Sequence, residues 1–255
     1  MNDLYVGTAI FLLSYAVIVT ERVHKTVVAL VGASLMLVLK IVTQDEAFRS
    51  ETYGIDYNVI FLLIGMMIII NVMKETGIFQ WMAIKSAKVA KGEPFRLMII
   101  LSVVTAVTSA FLDNVTTVLL VAPVTLLICE ALEVDVIPFL ITEAIASNIG
   151  GTATLIGDPP NIMIASKAGL TFMDFIYHLT PVVIVIMIAY LVTLKFIFGR
   201  SLRVSDSHKE RVMAMDESTA ITDRPLMVKS LWVMGFVVLG FVFHHQLHFQ
   251  PATIA

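Results

Sequence analysis

Two clusters of polar residues interrupt otherwise apolar stretches of this 255-residue chain, and their composition suits the handling of ions. The first is Asp113-Asn114-Val115-Thr116-Thr117, preceded by Ala110-Phe111-Leu112. The second runs from Ser147-Asn148 through Gly150-Gly151-Thr152 and Thr154 to Gly157-Asp158-Pro159-Pro160-Asn161. Polar groups inside apolar runs cost free energy unless they are paired or face water, so they mark sites. The side-chain oxygens of Asn114, Thr116, Thr117, Ser147, Asn148, Thr152, Thr154 and Asn161 are of the kind that a hard cation such as sodium accepts. Asp113 and Asp158 add charge. Together with Glu143, which lies four residues before Ser147 and shares its helical face, they are candidates for proton exchange, as carboxyls partly removed from water. Gly150, Gly151, Gly157, Pro159 and Pro160 cannot continue a regular helix, so the helix that starts near Ile137 is expected to break here. A broken helix within a membrane must be buried in protein or line a cavity, where its freed carbonyls coordinate cations and its half-helix N-termini favour negative or polar groups.

Composition sets the surroundings of these clusters. Hydrophobic residues make up 58% of the chain and charged residues 15%, against roughly 25% charged in a soluble domain. The expected partner is therefore the lipid bilayer. A net charge of -3 leaves no basic surface for nucleic acid. Cys129 is the single cysteine, so no intrachain disulfide forms and no cysteine-based metal site is available. His244 and His248 share a helix face and could hold a metal, but an interfacial role suits them better. No cofactor is called for beyond sodium, and neither cluster has the spacing of a catalytic centre.

Apolar runs cover Leu4–Thr20, Val27–Val42, Val59–Val72, Leu97–Phe111, Val115–Cys129, Ile137–Ala146, Ile162–Ala168, Pro181–Phe198 and Ser230–Phe249. The first is read as a retained helix rather than a signal peptide. Basic residues follow the first run (Arg22, Lys25), the third (Lys74, Lys85, Lys88, Lys91, Arg96) and the Pro181–Phe198 run (Arg200, Arg203, Lys209, Arg211, Arg224, Lys229). By the positive-inside rule these loops are cytoplasmic, which places the N-terminus and the acidic loop of Asp45, Glu46, Glu51 and Asp56 outside. The limbs on either side of Asp113 are about 15 residues each, or about 22 Å, too short for a core of roughly 30 Å. A re-entrant hairpin over 97–129 follows, with two short tilted spans as the alternative. The segment between Lys74 and Arg96 suits either an amphipathic helix in the membrane interface or a surface helix packed on the bundle.

Taken together and in order, Phe111-Leu112-Asp113-Asn114-Val115-Thr116-Thr117, Ser147-Asn148-Ile149-Gly150-Gly151 and Gly157-Asp158-Pro159-Pro160-Asn161 resemble the ion transporter superfamily. The likeness is to the branch of arsenite permeases, sodium/proton antiporters and the melanosomal P protein, with its citrate transporter-like domain. Further likeness runs through Leu63–Met67, Lys74–Gly77 and Arg224–Ala255. The resemblance implies an all-α, polytopic, multi-pass protein of the plasma or inner membrane, homodimeric at full length and not an enzyme. It implies two inverted repeats, each with a re-entrant hairpin and a broken helix, which move against a scaffold. On that plan residues 1–199 form the first repeat, with three spans, an interfacial helix, hairpin 97–129, broken helix 137–168 and span 181–198. Residues 200–229 are the cytoplasmic inter-repeat loop, and 230–255 open the second repeat. The chain then holds about half of a transporter and half of a binding site.

The function implied is secondary active transport of a small solute or inorganic ion coupled to sodium or protons. Related sodium-coupled dicarboxylate carriers have Ser-Asn-Thr at the hairpin tip, where this chain has Asp113, Asn114 and Val115. They have a neutral Ser or Thr where Asp158 stands. Two acids near one site repel a dianion, which weighs against di- or tricarboxylate transport. From other classes, an intramembrane aspartyl hydrolase built on Asp113 and Asp158 and a non-transporting membrane subunit are the alternatives.

Overall fold

The computed structural model describes residues 2–49, 54–199, 204–247 and 249–255, and every side chain among them except those of Asn2 and His245. Glu51, Arg200, Arg203 and His248 of the sequence reading lie outside the described residues, as does the His245 side chain. The described residues form an all-helical polytopic membrane protein, with thirteen α-helices, one 3-10 turn and no strand. They divide into two compact units, residues 1–57 and 58–255.

In the first unit, α1 (Asn2–Val19) and α2 (Lys25–Val38) form a helical hairpin. Gly32 lets the two approach, since a Cβ there would lie 2.6 Å from the Ser14 hydroxyl oxygen. Most side chains of both helices are exposed and apolar, a surface that suits lipid. A short helix not foreseen from the sequence, α3 (Gln44–Phe48), starts with a capping box. The Thr43 hydroxyl accepts from the Glu46 amide at 3.2 Å and the Glu46 carboxylate accepts from the Thr43 amide at 2.8 Å.

The second unit continues α4 (Tyr57–Glu75) and adds α5 (Ile78–Val89), α6 (Pro94–Ser109), α7 (Asn114–Leu132), α8 (Ile137–Gly151), α9 (Pro159–Ala168), α10 (Phe172–Phe198), α11 (Asp206–Met213), α12 (Arg224–Leu247) and α13 (Pro251–Ile254). Proline opens α6, α8, α9 and α13, where its missing N–H costs nothing. By length and composition α4, α7, α10 and α12 can cross a membrane. Leu62, Met66, Ile70 and Met73 of α4 pack with Leu155, Ile162, Phe172 and Phe241, so α4 shares a core with the broken helix and α12. A second core joins α5, α6, α7, α8 and α11 around Leu97, Val121, Ile128, Leu132, Phe139 and Val212.

Several boundaries differ from the sequence reading. Helix α10 starts at Phe172 rather than Pro181 and has 27 residues. Its start is set by a capping box between Thr171 and Asp174, and Pro181 lies inside the helix. Helix α7 extends over 19 residues, about 28 Å, so its length alone permits a crossing. Helix α5 is packed against α6, α7 and the 3-10 turn.

The loop after α10 is a strap rather than an open linker. Val212 of α11 is fully buried, Lys209 pairs with Glu93 at 3.0 Å and Arg211 with Glu133 at 3.1 Å. Glu93 precedes α6 and Glu133 follows α7, and one eight-residue helix reaches both, so the α6–α7 hairpin enters and leaves at one end of the unit. The 3-10 turn (Glu217–Ala220) then runs along α5, with Glu217 paired to Lys88 and, at 3.4 Å, to Lys85. The Thr222 amide donates to the Thr76 carbonyl at 3.0 Å, and the Thr222 hydroxyl donates to the Glu75 carbonyl. At that junction Gly77 has φ +79°, and a Cβ would collide with the Ala220 carbonyl.

Two measurements test the strap. Gly77→Ala destabilises the detergent-purified protein by at least the ~1–2 kcal/mol of a left-handed L-residue, read as a lowered thermal midpoint. Gly235→Ala, in α12 with open space around it, leaves the midpoint unchanged or raises it; equal midpoints for wild type and Gly77→Ala would show that the strap does not clamp this turn. Lys88, by hydrogen bonding, holds the Glu217 carboxyl below its ordinary value of 4.5. A depressed carboxyl stabilises above its ordinary value and loses that contribution as pH falls through the folded-state value. Hydrogen-exchange protection over 217–222, relative to Glu217→Gln, therefore declines as pH falls below about 4.5; a constant ratio would contradict this.

Candidate functional site at the hairpin tip and helix break

Two interruptions of helical structure meet in the second unit. Helix α6 ends at Ser109 and α7 starts at Asn114, with Asp113 as its N-cap; α8 ends at Gly151 and α9 starts at Pro159, with Asp158 in the N-cap position. The two turns are tied by side chains. The Ser109 hydroxyl donates to the Ser147 carbonyl at 2.7 Å, and the Thr154 hydroxyl donates to the Ala110 carbonyl. The Gly157 amide donates back to the Thr154 hydroxyl oxygen at 3.2 Å.

Gly150 and Gly151 form the last turn of α8 and are not unwound; the break falls after them, over residues 152–158. Their role is close approach. A Cβ on Gly150 would collide with the Ala106 backbone, so this glycine sets how tightly α6 and α8 pack. A Cβ on Gly151 would lie 2.7 Å from the Gly157 carbonyl oxygen, and one on Gly157 would lie 2.7 Å from that of Ser109.

Several carbonyls freed by the break are taken up by the protein. The Asn161 side-chain amide donates to the carbonyls of Gly151, at 3.1 Å, and Thr154, at 2.8 Å. The Thr180 hydroxyl donates to the Ala153 carbonyl at 2.9 Å. Thr154, Gly151, Gly157 and Asn161 thus build the frame, while Pro159 and Pro160 open α9. Ser109, Thr180 and the Ala110 carbonyl were absent from the sequence reading. Thr180 could have been found only by extending α10 back to the Thr171 cap.

Side chains at the open face form a smaller set. The Asn114 amide nitrogen donates to Asn148 Oδ1 at 2.7 Å and to Asp158 Oδ2 at 3.4 Å. Asp113 accepts from the Thr116 amide at 2.9 Å, and its carboxyl is close enough to Asp158 for the two to repel. The Thr117 hydroxyl is buried and donates to the Asp113 carbonyl at 2.9 Å. Thr152 is exposed and donates to the Asn148 carbonyl at 2.8 Å. Asn114, Ser147 and Asn148 line a cavity of about 260 Å³ together with Val115, Val118, Leu119 and Ala144. Glu143 stands apart, buried one turn earlier on α8, where it accepts from the Thr125 hydroxyl at 2.6 Å.

A bundle of apolar helices in which a hairpin tip abuts a helix break, with amides and carboxylates gathered at the junction, has the build of a polytopic membrane protein with a polar site. The chain belongs to the citrate transporter family, whose model matches residues 15–255. It is 52% identical over 250 residues to an uncharacterized transporter of Mycobacterium bovis, covering 98% of this chain and 58% of that protein. To the 46 kDa membrane protein of Mycobacterium leprae it is 45% identical over 249 residues, with coverages of 98% and 58%. To the human P protein it is 41% identical over 180 residues, 68% of this chain and 22% of that protein. The chain thus spans 58% of the length of these mycobacterial relatives.

The frame has a direct test. Asn161→Ala strands two partly buried carbonyls and should cost about 2–4 kcal/mol of stability. Asn148→Ala, at an exposed position, should cost well under half of that; equal losses would show that Asn161 does not hold the break.

Proposed function

We propose that this chain is part of a secondary active transporter that moves a small solute or inorganic ion across the bilayer, coupled to sodium or protons. The observation that carries the reading is the shared amide of Asn114, which joins Asn148 of α8 to Asp158 at the start of α9. It puts two helix N-termini, two carboxylates and two side-chain amides at one junction. Beyond that junction α9 runs ten more residues, about 15 Å, which suits a site near mid-membrane.

Electrostatics favour what the site takes. A helix N-terminus carries about half a positive charge and would attract an anion. Here Asp113 and Asp158 occupy the ends of α7 and α9 and supply the negative charge themselves. A sodium ion or a proton relieves the repulsion between them, whereas a dianion meets both. This supports a sodium/proton-antiporter-like or arsenite-permease-like activity. Citrate-like transport is the second reading, favoured by the family's description as citrate transporters; it requires the two aspartates to be neutralised first. An aspartyl hydrolase is disfavoured, because Asp113 is engaged in capping α7.

The rest of the assembly follows the same reading. Residues 1–199 form the first of two inverted repeats, the strap lies in the cytoplasm between repeats, and the N-terminus is outside. A second hairpin and broken helix complete the site in the whole protein, which is a homodimer of the plasma or inner membrane.

The test is flux by the complete transporter in proteoliposomes, with sodium, arsenite and citrate offered under sodium or pH gradients. Asp113→Asn combined with Asp158→Asn should reduce coupled flux at least tenfold. Undiminished flux in the double variant would overturn the charge role, and peptide cleavage without solute flux would overturn the transporter reading.

A further inference from the structure

We propose that the interior between α6, α7 and α8 is a second cation site, separate from the hairpin tip. It would hold one dehydrated, sodium-sized monovalent ion between the Glu143 carboxylate and the hydroxyls of Ser102, Thr105 and Thr125.

The site starts from an imbalance in the core. Glu143 is 1% exposed, and Ser102, Thr105 and Thr125 are fully buried. One carboxylate oxygen of Glu143 accepts from Thr125, but the other is buried without a hydrogen-bond partner, as are the hydroxyls of Ser102 and Thr105. Buried serine and threonine hydroxyls in helices ordinarily donate to a carbonyl one turn back. Thr142 and Ser147 do so here, to Phe139 and Ala144, while Ser102 and Thr105 do not.

Helix register brings these atoms to one level. Helices α6 and α8 meet at Ser109 with Ser147, 38 residues on, and α6 leads into the Ala110 contact with Thr154, 44 residues on. Glu143 lies 38 residues after Thr105 and 41 after Ser102, within that register and one turn below Ser147. Thr105 and Ser102 stand one and two turns below Ser109 on the same face of α6. The Thr125 bond brings α7 to the same place.

The chemistry selects the occupant. A carboxylate in a dry interior requires a positive partner, and among the described residues no lysine, arginine or histidine forms an ion pair with Glu143. A proton on the unpartnered oxygen of Glu143 supplies a single donor, enough for one neighbouring hydroxyl oxygen at most. A cation satisfies all of these oxygens together, and carboxylate and hydroxyl oxygens are the donors that hard ions take. One negative charge balances a monovalent ion and leaves a divalent one uncompensated. The binding claim stands without the transporter reading; only a part for this ion in coupling rests on it.

The experiment is thermal unfolding of the detergent-purified chain in sodium chloride against choline chloride at equal ionic strength. Wild type should gain several degrees in sodium by mass action. Glu143→Gln should remove this site's share of the gain, leaving at most what the tip contributes, and Ser102→Ala with Thr105→Val should shift its sodium midpoint at least tenfold higher. The hydroxyl variant should melt in choline no lower than wild type, since it removes unpartnered polar atoms, and it decides the matter if Glu143→Gln does not fold. Asn114→Ala, at the tip, should keep a sodium-dependent gain. A gain abolished by Asn114→Ala but intact in Glu143→Gln would assign the ion to the tip and overturn the proposal. A sodium-independent wild type whose midpoint varies with pH only while Glu143 is present would also overturn it, in favour of a proton. Because no flux is read, failure here is distinct from failure of the transport proposal.

Discussion

A helix that breaks inside a bilayer must find partners for its freed backbone groups within the protein, because lipid offers none. That constraint accounts for the polar side chains packed around the break. Asn161 reaches back to Gly151 and Thr154, Thr180 reaches over from α10 to Ala153, and Thr154 ties the linker to the hairpin tip at Ala110. Each bond comes from a different part of the chain, so the break can form only once α6, α9 and α10 are assembled around it. The small residues have the same origin. Ala106 against Gly150 and Ser109 against Ser147 bring α6 and α8 close enough for side chains as short as serine to reach the neighbouring backbone.

Once the backbone is satisfied in this way, few groups at the junction are left for a ligand. Asn114, Asn148 and Asp158 form the open face, with Asp113 committed to its helix cap. A site made mainly of unwound carbonyls would be indifferent to which side chains surround it; this junction, where the carbonyls of Gly151, Ala153 and Thr154 are occupied, depends on two amides and two carboxylates. Substitutions at the frame and at the open face should therefore separate, the first acting on stability and the second on what the junction accepts.

How much of this was legible in the sequence depends on whether the signal was local. The hairpin tip and the break were visible because polar and helix-breaking residues interrupt apolar runs. The identity of the residues that meet was visible for Asn114, Asn148 and Asp158 only as membership in two clusters, since nothing local pairs residues 34 or 44 positions apart. Gly150 and Gly151 misled in one respect. Glycine lowers helix propensity, yet close packing of α6 on α8 keeps these two helical, so tertiary contact overrode local preference. Pro181 misled likewise as a span boundary, because the Thr171–Asp174 cap had already started the helix nine residues before it. The strap was read only as an inter-repeat loop because its polar composition hides one decisive apolar residue, Val212, whose burial no periodicity in an eight-residue helix could announce.

The strap also shows how weak and strong contacts divide their work. Its ion pairs at the feet of the hairpin, Lys209 with Glu93 and Arg211 with Glu133, lie where water screens them, and such pairs individually contribute little. Burial of Val212 and the fit of Ala220 over Gly77 do not depend on screening. The charges therefore select which ends are brought together, and the packed contacts hold them. Since Glu93 and Glu133 mark the two feet of the hairpin, anything that loosened α11 would remove its contacts from both feet together while leaving the tip, tied to the break by Ser109 and Thr154, in place. The hairpin is therefore held at its tip by hydrogen bonds and toward its feet by the core that Leu97, Ile128 and Leu132 share with α5, Phe139 and Val212, to which the screened charges add orientation.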